Sequence, residues 1–333
     1  PGAVALIARH GKIVHWKAYG LADVETGRAL ERDDIFRIAS QTKAITSTAV
    51  MMLWEEGHFR LDDPIADYLP AFADMDVLDR FRYRDTTYTA VPATKPITIR
   101  HLLTHTSGLG YGVIDGDERM RMLYEKAGVI DLYTDQPVTI ADNVEVLASL
   151  PLHHEPGEKY TYSEGLDVLG RFVEVISGQP FDQFLRERLF DPLGMDDTWF
   201  YLPDTRAGRL VTVHRPNAEG SWERMPTTYY NPEFPRSGAK AFFSGGAGLS
   251  STAHDYAKFL QMYLNGGAFN GVRILSRTTI ETMMHNQIGS LWGDDPDRHL
   301  GLAFGVVTEK GVAQGGQGGA GTFSWGGYFN TQY

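Results

Sequence analysis

The 333 residues include no cysteine. Disulfides, thiolate metal sites and a cysteine nucleophile are therefore excluded, while the compartment is left open. No apolar run is long enough to cross a bilayer. No Gly-x-Ser-x-Gly occurs, which excludes the nucleophile elbow of the α/β-hydrolases. Basic residues are in deficit, 31 Lys+Arg against 42 Asp+Glu, giving a net charge of −11. That balance argues against nucleic acid or an anionic membrane as a main partner, since both are bound through basic surface. There is no internal repeat and no long disordered tract. The chain starts at Pro1 rather than Met, so any signal peptide lies outside this sequence. What is present is an ordinary globular composition, 42 % hydrophobic and 22 % charged, in a chain long enough for one or two domains.

One stretch organises the rest. An apolar lead-in from Phe36 reaches Ser40, after which Ile45, Ala49, Met52 and Leu53 recur at the spacing of one helix face. Val50, Met51 and Trp54 make much of the other side apolar too, so a buried helix is expected, stopped by Gly57. Ser40 then stands at a helix N-terminus, where free N–H groups and the dipole favour negative charge. Lys43 lies one turn on, on the same face. Burial would favour its neutral amine, and a Ser hydroxyl becomes a nucleophile once a base is within reach. The alternative is that Ser40 is only an N-cap and Lys43 a surface residue. Ser237-Gly238-Ala239-Lys240 is an internal control: it has the same Ser-x-x-Lys pattern among Pro232, Pro235 and Gly238, with no helical period after it.

Around this stretch, Ala3–Arg9 and Lys12–Tyr19 read as strands joined by a His10-Gly11 turn. Residues 20–34 read as loop, 71–96 as irregular, and 200–240 as extended loop. Helices are expected over Thr98–His105, Val138–Leu150, Gly165–Ile176, Phe181–Phe190 and from Thr252 onward, where Thr252-x-x-Asp255 is a capping-box variant. The Gly-rich end is strand-like from Thr322 to Phe329. Strands at both termini with helices between suggest one sheet built from both ends, residues 1–60 and 241–333, plus a mainly helical insertion over 61–240 with long loops.

A second site residue is Tyr162, which follows the Pro156-Gly157 turn and precedes a helix with Ser163 as its N-cap. The helix terminus and a nearby ammonium would favour a phenolate able to take the Ser40 proton. The alternative is a packed aromatic with its hydroxyl on backbone. Tyr-x-Asn tripeptides at Tyr229, Tyr263 and Tyr328 show how cheap such short matches are. Three weaker groupings are set aside. Gly316-x-Gly318-x-x-Gly321 fits a dinucleotide pattern without its strand and helix. His153-His154-Glu155 sits in a turn between Pro151 and Pro156. His101 and His105, at i and i+4, have no Glu between them and no third metal ligand, so they are expected to hold a loop.

Ser40-Gln41-Thr42-Lys43, Thr98 to Leu109, Tyr162-Ser163-Glu164-Gly165 through Gly170, Pro192-Leu193-Gly194-Met195, Gly245-Gly246-Ala247-Gly248-Leu249 and Trp325-Gly326-Gly327 occur in one order across the chain. In that order the chain resembles the serine β-lactamase-like superfamily, and within it most the family VIII carboxylesterases, relatives of class C β-lactamases. The resemblance implies an α+β fold of the β-lactamase/penicillin-binding-protein kind, an antiparallel sheet flanked by helices beside a mainly helical domain, with the site between them. It implies Ser40 as nucleophile, Lys43 and Tyr162 as paired base and acid, and an oxyanion hole at the backbone N–H groups of Ser40 and Tyr328. It implies a serine carboxylesterase acting on short-chain esters through an acyl-enzyme, with no cofactor and no metal. A β-lactamase or D-amino-acid peptidase, an acyltransferase, or an inactive ligand-binding module are the alternatives.

The chain departs from the β-lactamases in having no Lys-Thr-Gly; Trp325-Gly326-Gly327 stands there instead. Glu164 replaces the Asn of their Tyr-x-Asn motif and is expected to repel an anion. Both changes favour neutral esters. A leading helix before Pro1 and a strand pair and helix after Tyr333, which the resemblance also implies, are not in this sequence, so both ends look trimmed.

Overall fold

A helix that is apolar on most sides has to be surrounded, and the segment after Ser40 is. Helix α1 (Thr42–Glu55) buries every residue from Thr42 to Leu53. A branched aliphatic side chain such as Ile45 contributes about 1.5–3 kcal/mol by leaving water completely. The structure, a computed structural model, describes residues 1–227, 230–293, 297–315 and 318–333. Tyr229 of one Tyr-x-Asn tripeptide and Gly316 of the glycine pattern lie outside the described residues.

The N-terminal hairpin forms as read. Strands β1 (Gly2–Arg9) and β2 (Lys12–Asp23) pair antiparallel. His10 and Gly11 both have positive φ, +51° and +71°, the turn whose twist matches that of the strands. β2 runs on to pair with β3 (Arg28–Ala29), so part of the stretch read as loop is strand. Strand β4 (Phe36–Arg37) leads into Ser40.

Residues 71–96 are corrected from irregular to hairpin: β5 (Asp76–Arg82) and β6 (Thr87–Pro92) pair antiparallel. Only Leu78 of β5 is buried, so the alternation that announces a half-buried strand is missing from the sequence. The Leu78 N–H donates to the Leu152 carbonyl at 2.9 Å and ties the hairpin to the body.

Helices α2 (Ile99–Leu103), α3 (Glu118–Ala127), α4 (Ile140–Ala148), α5 (Gly165–Ser177) and α6 (Phe181–Leu185) follow. α5 packs across α1, and α2 and α4 pack across α5. Thr98 and Thr139 start α2 and α4 with reciprocal capping boxes, the first using His101. The helix expected over 181–190 is broken. Past α6 the chain makes a π turn, Arg186–Phe190, and then α7 (Asp191–Leu193) around Pro192.

After α8 (Asp204–Ala207), β7 (His214–Pro216) and β8 (Trp222–Arg224) form a hairpin within the stretch read as loop. β9 (Ser250–Ser251) pairs with β4 and lays residues 244–249 along the start of α1. There the Leu249 carbonyl accepts the Ile38 N–H at 3.0 Å, and the Leu249 N–H donates to Thr42 Oγ1 at 3.2 Å. α9 (Ala253–Leu264), capped by Thr252, packs on β1.

The remaining elements are β10 (Ala268–Phe269), β11 (Val272–Arg273), α10 (Arg277–Met284), β12 (Arg298–Leu300), β13 (Gly305–Val307), α11 (Glu309–Ala313), β14 (Phe323–Ser324), β15 (Gly326–Gly327) and β16 (Thr331–Gln332). The expectation of one sheet from both termini is corrected. Among the described residues β1-β2-β3, β12-β13-β14 and β15-β16 are separate sheets. The C-terminal strands are two or three residues long and pair with one another, among the described residues, rather than with β1. The named strand pairs are antiparallel and the helices pack around α1 and α5, an α+β arrangement.

Candidate active site

Ala39, between β4 and α1, has φ +45°. A left-handed alanine costs about 1 kcal/mol or more, and it turns the chain into a single 3₁₀ turn, Ala39–Gln41, ahead of α1. Ser40 lies in that turn, half-buried. Its Oγ accepts from the Tyr162 hydroxyl at 2.8 Å and from Lys43 Nζ at 3.3 Å. Neither the 3₁₀ turn nor α1 has a side-chain cap, so Ser40 is not spent as an N-cap. Lys43 is not a surface residue either, at 2 % exposure. Its Nζ also donates to the Tyr111 hydroxyl at 2.9 Å and to the Gly246 carbonyl at 2.8 Å. Nζ therefore has three hydrogen-bond partners, Ser40, Tyr111 and the Gly246 carbonyl. The control pair behaves as expected: Ser237 Oγ donates to the Glu233 carbonyl and Lys240 is exposed.

Tyr162 reaches Ser40 from the start of α5. Its ring lies 4.7 Å beneath Lys43 Nζ and packs between His105, 4.6 Å away, and Tyr111, 5.3 Å away. The N-cap of α5 is Glu164 rather than Ser163, although Ser163 Oγ still accepts the Gly165 N–H at 3.3 Å. His105 Nδ1 accepts from the Ser163 N–H at 3.2 Å. Burial, with Lys43 nearby, pushes the His105 imidazolium well below its ordinary range, so the ring beside Tyr162 is neutral.

Tyr111 is the site residue that sequence reasoning missed. Burial, then Tyr162 and Asp167, raise its phenol well above the ordinary range, so it stays protonated and serves Lys43 as a neutral acceptor. Its position is set from a distance. The Tyr111 N–H donates to Asp115 Oδ2 at 3.0 Å, and His153 Nε2 bonds the same oxygen at 2.9 Å. Burial alone would raise the Asp115 carboxyl, but the bonds from His153 and from backbone amides outweigh it and hold the group low. The sequence signal was the flanking pair Gly110 and Gly112: a Cβ on Gly110 would meet Asp115 and His153 at 2.2–2.3 Å.

Glu164 is corrected. It is fully buried, and its carboxyl faces Asn143, whose Nδ2 donates to Oε2 at 3.3 Å, and Asp131. Burial, then Asp131, push that carboxyl well above the ordinary range, so it is held neutral and presents no charge to repel an anion. Asp167, one turn further along α5, is also buried, and its Oδ1 accepts the Gly246 N–H at 3.2 Å.

The C-terminal segment closes the other side. Gly326 and Gly327 form β15, packed on the Ala39–Gln41 turn. A Cβ on Gly327 would sit 2.4 Å from the Ile38 carbonyl, so only glycine permits this approach. Tyr328 follows directly, its side chain half-exposed. Among the described residues, neither its backbone N–H nor that of Ser40 donates to a protein acceptor, as an oxyanion hole requires. Trp325 stacks on Trp292 with centroids 6.3 Å apart and lies 6.1 Å from the Tyr162 ring. Phe329 lies 5.9 Å from Tyr230 and 6.0 Å from Tyr133. The flanks of Ser40 are thus aromatic, without a cation where Trp325 stands. A cavity of about 300 Å³ bounded by Arg186, Trp199 and Phe243 lies elsewhere and includes none of these residues.

His101 and His154 hold local backbone and loop structure. His101 Nδ1 accepts the Thr98 N–H within the α2 capping box, and His154 bonds Thr161 Oγ1 and the Glu155 carbonyl at 2.9 Å each. Among the described residues no group of three acidic or His side chains converges as a metal site, and no helix is long and apolar enough to cross a membrane.

Comparison with known proteins shows what the whole chain is similar to. The profile of the family described as Beta-lactamase matches residues 1–333. An uncharacterized protein of Mycobacterium tuberculosis is 36% identical over 347 residues, covering 99% of this chain and 81% of the relative. Esterase EstB of Burkholderia gladioli is 33% identical over 348 residues, covering 98% of this chain and 81% of the relative. Among solved structures, EstCE1, described as a hydrolase with promiscuous acyltransferase activity, superposes with a TM-score of 0.83 at 30% identity, covering 98% of this chain and 83% of that one.

Proposed function

The chain belongs to the Beta-lactamase family, and from that membership we propose that it is a serine carboxylesterase that hydrolyses short-chain esters through an acyl-enzyme on Ser40. The observation that carries the reading is a single oxygen, Ser40 Oγ, within hydrogen-bond reach of both Tyr162 and a buried Lys43. The likeness to Esterase EstB and to EstCE1 supports it.

Tyr162, in its phenolate form, takes the Ser40 proton as Oγ attacks the ester carbonyl. The Lys43 ammonium over its ring balances the charge on the phenolate oxygen. The Ser40 and Tyr328 N–H groups receive the oxyanion. The tetrahedral species collapses with loss of the C–O bond, and Tyr162 returns the proton to the leaving alkoxide. Water then attacks the acyl-enzyme, its proton passing to Tyr162 and on to the departing Ser40 Oγ. On the proposed division of the chain, Tyr162 comes from the insertion 61–240, and Ser40, Lys43 and Trp325 from 1–60 and 241–333. An alcohol in place of water would make the same intermediate an acyl donor, a second reading supported by the description of EstCE1. Trp325 where β-lactamases carry the Lys of Lys-Thr-Gly disfavours carboxylate-bearing β-lactams and peptides.

The test compares p-nitrophenyl butyrate with nitrocefin, for the native chain and for Ser40→Ala. Ester turnover well above β-lactam turnover is expected, with hydrolysis and organophosphonate labelling both lost in the variant. Preferred nitrocefin turnover would replace the esterase by a β-lactamase. Labelling that maps to Ser237 would remove Ser40 from its role.

A further inference from the structure

Asp167 is a buried carboxylate that the mechanism above does not use. It is 1 % exposed on the face of α5 turned toward α1. Its Oδ1 accepts the Gly246 N–H at 3.2 Å, and the Gly246 carbonyl accepts Lys43 Nζ at 2.8 Å. Its Oδ2 has no hydrogen-bond partner of good geometry. The loop between them is tight: a Cβ on Gly246 would fall 2.4 Å from Asp167 Oδ2 and 3.2 Å from the Tyr111 hydroxyl. Thr46 Oγ1 donates to the Gly245 carbonyl at 2.6 Å and braces the same loop from α1. A carboxylate this deeply buried, with one oxygen unsatisfied, has a large cost unless a positive charge faces it.

The charged and titratable groups around it come from five segments. Lys43 faces it from α1, Tyr111 from the loop after α2, and Ser244 from the loop before β9. Glu164 lies one turn back on α5, and Asp131 precedes α4. Glu164 and Tyr111 are held neutral, so among these groups Lys43 is the cation.

We propose that Asp167 is a positioning residue for Lys43: it holds the loop whose Gly246 carbonyl receives Lys43 Nζ, and so fixes Nζ beside Ser40 and Tyr162 while Ser40 reacts. The inference rests on the assignment of Ser40, Lys43 and Tyr162 in the proposed function. Without the ionised carboxylate, the Gly246 N–H loses a charge-assisted partner and the loop that receives Lys43 Nζ is held less firmly. Nζ is then less well placed between Ser40 and the Tyr162 ring. The buried carboxyl is itself raised to about 6, by burial first, against the opposing effects of Ser244, Lys43 and the Gly246 amide. The active form has Asp167 ionised, so activity falls as the pH drops through that value.

The experiment measures kcat and KM for p-nitrophenyl butyrate between about pH 5 and 8, read at the isosbestic wavelength of the product, for the native chain, Asp167→Asn and Ser40→Ala. Asn keeps an oxygen for the Gly246 N–H and removes only the charge. The native chain is expected to show an acid limb near 6 in kcat/KM. Asp167→Asn is expected to lose that limb and about tenfold or more in kcat, with KM little changed and Tm within a few degrees, since the charge-assisted hydrogen bond from the Gly246 N–H gives way to a neutral one of about half its strength. A native profile without the limb overturns the proposal and needs no variant to fold. So does an Asp167→Asn enzyme that keeps the limb, or one whose losses follow its Tm without moving the profile. Activity surviving in Ser40→Ala would instead overturn the assignment of the nucleophile, and is read separately.

Discussion

Replacing Tyr162 by Phe separates chemistry from packing at the centre of the proposed site. The change deletes one hydroxyl, whose bond to Ser40 Oγ is 2.8 Å long. The ring keeps its neighbours: His105 at 4.6 Å, Tyr111 at 5.3 Å and Lys43 Nζ at 4.7 Å. The stability lost is that of one half-buried neutral hydrogen bond, about 0.5–1.5 kcal/mol, which in a chain of 333 residues moves Tm by only a few degrees. The kinetic loss is of another size. Removing a general acid–base group costs about 10²–10⁴ in rate, or about 3–5 kcal/mol of barrier. The barrier should therefore rise by several times the stability change. Stopped-flow release of p-nitrophenol reports acylation as a burst and turnover as the slope after it, and a thermal melt reports stability on the same sample. The burst should slow with kcat while KM holds, because the lost interaction acts on the reacting atoms. A variant with kcat within about threefold of the native value would refute the reasoning and leave Tyr162 as a packed aromatic.

Two further outcomes are expected. Glu164→Gln should gain stability relative to the native chain as the pH rises. The folded carboxyl binds a proton at pH values where the unfolded one, near 4.3, has released it, so native stability falls above that pH by up to about 1.4 kcal/mol per unit. A Tm difference that stays constant from acid to alkaline pH would contradict the buried neutral carboxyl. Trp325→Lys should shift kcat/KM toward a carboxylate-bearing substrate against a neutral analogue of equal size, by less in high salt. A native preference for the anionic partner would count against the esterase.

The chain's own sequence determined the pieces whose causes are local. The helical period after Ser40 placed Lys43 on its face, and twelve consecutive buried residues from Thr42 to Leu53 bear out a buried helix. The turn-to-helix context singled out Tyr162. The His10-Gly11 hairpin and the α2 and α4 capping boxes are likewise settled within a few residues. The β5–β6 hairpin was not legible, because it buries only Leu78 of its first strand and is anchored by Leu152 far along the chain.

Tertiary structure alone decided the charges and the closures. Lys43 Nζ meets Tyr111, 68 positions away, and the Gly246 carbonyl, 203 away, and nothing near Lys43 in sequence announces either. Glu164 reads as an anion beside Tyr162, yet burial, then Asp131, hold it neutral against the opposing bond from Asn143. Gly327 reads as a flexible position until the Ile38 carbonyl is found where its side chain would be. Helical period and turn chemistry are carried by covalent neighbours, so a sequence displays them directly. The ionisation of a buried group is set by desolvation and by the charges packed around it, which exist only once distant segments have met.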